Sequence, residues 1–108
     1  MKKWSVNDGI LFECLKNVGF ENIEPDDVDL VNENDAYTHY NYKIDETHIW
    51  SITRHSPIKE GAYNRYWVHC ELWENDTIID VHDFHYFYDE KTSAYGLCEP
   101  ELPKGRIR

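Results

Sequence analysis

The chain has 108 residues, 41% of them hydrophobic, with 21 acidic against 11 basic side chains and a formal charge of −10. That length holds one hydrophobic core and no second ordinary domain, so residues 1–108 are read as a single domain. The charge excludes phosphate-driven binding of DNA, RNA or anionic membrane and points to a basic protein as partner.

Val6, Ile10, Leu11, Cys14, Leu15 and Val18 recur at helical spacing and predict a helix over about residues 6–18. Ser5 serves as N-cap with Asp8 completing a capping box, and Gly19 supplies the left-handed residue that ends it. An acidic segment, Glu21–Asp35, follows. Tyr37–Ile44 and His48–Arg54 alternate as strands, giving a hairpin over 37–54 whose turn at Asp45-Glu46-Thr47 aligns Tyr40, Tyr42 and Ile44 with His48, Trp50 and Ile52. His55–Asn64, with Pro57 and Gly61, reads as a loop. A second hairpin over 65–88 turns at Asn75-Asp76, and a tail rich in turn formers occupies 89–108. The expected fold is α+β, an N-terminal helix packed on a four-stranded antiparallel sheet of two hairpins.

A two-residue loop at Asn75-Asp76 sets Trp73 opposite Ile78, Glu71 opposite Asp80, His69 opposite His82, Trp67 opposite Phe84 and Arg65 opposite Tyr86. Val68, Cys70, Leu72, Ile79 and Val81 then form the core face. The other face gathers two imidazoles and two facing carboxylates within a frame of Trp67, Trp73, Phe84 and Tyr86. Like charges opposed across strands are costly unless a cation or solvent compensates. One reading is therefore a structural zinc site with His69 and His82 as ligands, completed by Asp80, Glu71 or Cys98. A second is a pair of half-exposed imidazoles on neighbouring rings, with water solvating the acids, and a third is a catalytic histidine pair. No phosphate loop, nucleophile elbow or HExxH is present, and no catalytic residue is assigned, so the expectation is a protein without enzymatic activity.

Cys14, Cys70 and Cys98 are odd in number and lack CxxC spacing, which implies no disulfide framework and a reducing, cytoplasmic setting. The acids cluster in two stretches free of bases, between Lys16 and Lys43 and between Arg65 and Lys91. Asp26, Asp27 and Asp29 are the candidate steering charges for a partner, and Trp67, Trp73 and Tyr86 the candidate anchors. One helix covers one sheet face, which leaves the Trp67/His69/Glu71/Trp73 face open, covered by residues 99–108, or buried in a homodimer.

In length, charge, acidic surfaces at Glu24–Asp35 and Glu71–Asp83, and aromatic strands at Tyr66–Trp73 and Phe84–Tyr88, the chain resembles the small acidic anti-CRISPR proteins that phages encode against bacterial defence nucleases. The resemblance implies a nuclease inhibitor in the host cytoplasm that occupies a basic channel of an RNA-guided nuclease and blocks target-DNA loading. An immunity protein neutralising a toxin nuclease, and a small metal-dependent enzyme, are the alternatives.

Overall fold

The computed structural model describes residues 4–98. In chain order these form helix α1 (Val6–Asn17), a 3-10 turn at Pro25–Asp27, and strands β1 (Val28–Glu33), β2 (Tyr37–Lys43), β3 (His48–His55), β4 (Ile58–Glu60), β5 (Tyr63–Glu74), β6 (Thr77–Tyr88) and β7 (Tyr95–Leu97). All strands pair antiparallel in one sheet of order β1-β2-β3-β5-β6-β7, with β4 also paired to β5.

The sequence expectation of four strands in two hairpins is thus corrected to seven strands with one short helix. The additional strands have physical reasons to be inconspicuous. β1 is an edge strand in which only Val28 is buried, so its remaining positions show no apolar alternation. β4 and β7 are three residues each, too short to display a period of two. The two hairpins join directly, β3 against β5, with Ile52 opposite Cys70 and Trp50 opposite Leu72.

Local chemistry sets the helix boundaries. The Ser5 hydroxyl accepts from the Asp8 amide at 3.0 Å while the Asp8 carboxylate accepts from the Ser5 amide at 3.1 Å, so both halves of the capping box form. Gly19 takes φ 125°, a backbone conformation that favours glycine, and the Phe20 amide then donates to the Leu15 carbonyl at 3.0 Å. The helix buries Ile10, Leu11, Phe12, Cys14 and Leu15 against one face of the sheet. Phe20, Ile23, Val28, Tyr40, Ile52, Tyr66, Val68, Cys70, Phe84 and Tyr86 complete that core.

Polar side chains pin the start of α1 to the sheet. The Asp8 carboxylate accepts from the Tyr40 hydroxyl at 2.6 Å and from Arg54 Nη1 at 3.2 Å. A second Arg54 nitrogen reaches the Thr38 hydroxyl at 3.3 Å, and the Tyr86 hydroxyl donates to Asn7 Oδ1 at 2.7 Å. The Arg54 guanidinium lies over the rings of Tyr40 and Tyr66, at 5.8 and 5.7 Å from their centroids.

The hairpin of β5 and β6 departs from simple alternation. It opens as the turn residues demand, with Asn75 at φ 53°, Glu74 opposite Thr77 and Trp73 opposite Ile78. Then Leu72 faces Asp80 instead of Ile79, so Ile79 is the extra residue of a β-bulge. From there Cys70 faces His82, His69 faces Asp83, Val68 faces Phe84 and Tyr66 faces Tyr86. A ladder without the bulge, with Ile79 and Val81 on the core face, would carry Asp83 and His85 beneath the helix and turn Phe84 and Tyr86 outward. Burying an aromatic ring removes roughly 150–250 Å² from water, about 4–6 kcal/mol at 25 cal/mol per Å², whereas a buried carboxylate costs several kcal/mol unless paired. The bulge brings both rings into the core and leaves Ile79 and Val81 exposed instead.

Candidate docking face

The sheet face opposite α1 carries no helix among the described residues. Its positions line up across strands: Asn41 opposite Ser51 and Ser51 opposite Glu71, then His39 opposite Thr53, Thr53 opposite His69 and His69 opposite Asp83. The His39 ring and the Ser51 hydroxyl are hydrogen-bonded at 2.7 Å.

His69 is the centre of this face. Its Nδ1 lies 2.5 Å from Asp83 Oδ1 across the strands, and its Nε2 lies 2.9 Å from Glu71 Oε2 along its own strand. Carboxylate oxygens only accept, so both contacts are hydrogen bonds when the ring is the doubly protonated imidazolium. Partial burial opposes that charge, but the bonds to Glu71 and Asp83 outweigh it and raise the His69 pKa above the usual imidazole value. The second Glu71 oxygen accepts from the Trp73 indole at 3.3 Å, which ties that ring into the same network.

Beside this triad, His55 stacks on Trp67, centroids 4.2 Å apart and planes at 11°. Burial and the neighbouring His69 lower the His55 pKa, so the two adjacent histidines are pushed in opposite directions. Trp67 is 39% exposed and its ring is held by the stack instead of by the core. On the same face Arg65 reaches Glu60 at 2.5 Å.

The residues proposed from sequence separate into two groups. His69, Glu71, Trp67 and Trp73 share the open face. Tyr86, a proposed anchor, is fully buried and bonded to Asn7, so it cannot contact a partner, and Phe84 is likewise in the core. His82 faces Cys70 and lies 6.3 Å from both Phe20 and Phe84 on the helix side, and Asp80 faces Leu72 there. Cys98 follows β7, with its amide donating to the His85 carbonyl at 3.0 Å. The proposed ligands His69, His82, Asp80, Glu71 and Cys98 are therefore not gathered on one face, and both His69 nitrogens already contact carboxylates. Among the described residues no group of three or more His, Cys, Asp or Glu is placed to hold a metal ion. Burial pushes the Cys14 and Cys70 thiols up to about 12, away from thiolate chemistry. Asp26 and Asp27 sit exposed in the 3-10 turn, and Asp29 is exposed on the edge strand β1. Residues 99–108, considered as a cover for the open face, lie outside the described residues.

Asp83, His55 and His39 are members of this face that the sequence reading did not select. One signal was available for Asp83. In 82–88 three of the four Phe and Tyr residues, Phe84, Tyr86 and Tyr88, fall at even positions, whereas the aliphatic Ile79 and Val81 fall at odd ones. That change of phase marks a bulge between the two runs.

No protein-family model, no curated protein and no solved structure matches this chain. Among the described residues no helix is long and apolar enough to cross a membrane.

Proposed function

We propose that this chain is a stoichiometric inhibitor of anti-CRISPR type, which docks its open sheet face and acidic edge on a basic nucleic-acid-binding surface of a defence nuclease and blocks target-DNA loading. The observation that carries the reading is the Trp67–His55 stack at 4.2 Å on a sheet face that no helix covers among the described residues. A ring already fixed in place loses little freedom when a partner covers it, which is the property of an interface anchor. Next to it, Glu71 and Asp83 bond His69, whose ring lies 5.9 Å from that of Trp67, while Asp26, Asp27, Asp29 and Glu33 line the exposed β1 margin. The formal charge of −10 supplies long-range attraction to a basic surface.

The test is a DNA-loading assay on a purified RNA-guided nuclease with increasing inhibitor. Inhibition should saturate near one inhibitor per nuclease and weaken as salt rises, because exposed charges are screened beyond a Debye length of about 8 Å at physiological ionic strength. Trp67→Ala should weaken binding by about 2 kcal/mol while leaving the melting curve nearly unchanged. Turnover-like inhibition far below stoichiometry would overturn the reading in favour of an enzyme.

A further inference from the structure

On the helix side of the sheet, past the end of α1, a cavity of about 180 Å³ is lined by Val18, Gly19, Phe20, Trp50, Asp80 and His82. Phe20 and Trp50 meet edge to face, centroids 4.8 Å apart at 65°, and the His82 ring lies 6.3 Å from Phe20. Asp80 Oδ1 accepts from the Val81 amide at 2.9 Å. Besides the His82 imidazole, the walls thus combine two aromatic rings, one carboxylate and the C-terminal end of a twelve-residue helix, and among the described residues no Lys or Arg lines them. Each of these favours a cation: ring faces through their quadrupoles, the carboxylate by charge, and the helix end through its partial negative charge. Val18 and the rings offer apolar surface to methylene groups. We propose that this pocket binds a single alkylammonium or alkylguanidinium group. The site lies across the sheet from the docking face and does not rest on the inhibitor reading.

The test is titration of the 15N-labelled full chain with agmatine, followed by amide and indole resonances. Saturable shifts should centre on the Trp50 indole, the Gly19 and Phe20 amides and Asp80, with millimolar dissociation. Asp80→Asn keeps an oxygen for the Val81 amide and so preserves the local fold, which its own spectrum verifies. It should weaken agmatine binding by about five-fold, the upper range for an exposed ion pair. A blocked Gly-Arg-Gly peptide distinguishes sources: binding equal to agmatine identifies a protein-borne side chain, and exclusion of the peptide while agmatine binds identifies a free small amine. Non-saturating shifts, equal binding by the neutral N-butylurea, or unchanged affinity in Asp80→Asn would overturn the proposal.

Discussion

His69 and Asp83 face one another across β5 and β6, Nδ1 to Oδ1 at 2.5 Å, and they do so because Ile79 is bulged out of the ladder.

 Were Ile79 paired with Leu72 in an unbroken ladder, His69 would face His82, and Asp83 would lie on the helix side.

Deleting Ile79 should therefore leave the later pairing intact, because Asp80 then follows Ile78 directly and still faces Leu72. Phe84 and Tyr86 stay in the core and Asp83 stays opposite His69 in a ladder without a bulge. The loss should stay below about 3 kcal/mol, and urea unfolding followed by circular dichroism should remain cooperative. Ile79→Thr, which keeps the bulge, should stay within about 1 kcal/mol of the parent. A deletion variant that shows no cooperative transition would refute this account of the register.

The two neighbouring histidines should titrate apart. His69 is raised, its bonds to Glu71 and Asp83 outweighing partial burial, and His55 is lowered by burial and by His69. A raised folded-state value means that the His69 contribution to stability is fully present below the unfolded value of about 6.5 and is lost as pH rises through the folded value. His55 acts in the opposite sense: its contribution is present above about 6.5 and is lost as pH falls through its lower folded value. An NMR titration of the ring protons checks the order. Asp83→Asn should lower the His69 midpoint, and an unchanged midpoint would mean that the carboxylate contact does not persist in solution.

The Asp8–Arg54 pair predicts both a mutational and an acid sensitivity. Arg54 is only 8% exposed, so Arg54→Met leaves the Asp8 carboxylate without its cation and should cost about 3–5 kcal/mol. The double variant Asp8→Leu/Arg54→Met should recover part of that loss, offset by the missing capping box. Burial raises the Asp8 pKa, but its bonds to Tyr40 and Ser5 and the Arg54 charge outweigh this and hold it below the ordinary value. Its contribution is therefore present above about pH 4 and is lost as pH falls through the lower folded value. Urea midpoints between about pH 2 and 5 should drop less steeply in Arg54→Met than in the parent. Equal slopes would show that the pair carries no linkage.

Local chemistry made several elements legible in the sequence. The Ser5–Asp8 capping box and Gly19 bracket a helix through contacts made within a few residues, and the turn at Asp45-Glu46-Thr47 sets Tyr40 opposite Ile52 and Tyr42 opposite Trp50 as alternation predicts. Trp67, Trp73, His69 and Glu71 were also placed together, because side chains two apart on one strand share a face wherever that strand pairs. What tertiary structure decided was everything that depends on a distant partner. β1, β4 and β7 exist as strands because neighbours offer them hydrogen bonds, which three residues or an acidic edge do not announce. Asp83, not His82, became the partner of His69 because burying Phe84 and Tyr86 under α1 outweighs keeping the ladder unbroken. A one-residue bulge reverses every later side chain, so the identity of the site depended on the packing of the opposite face.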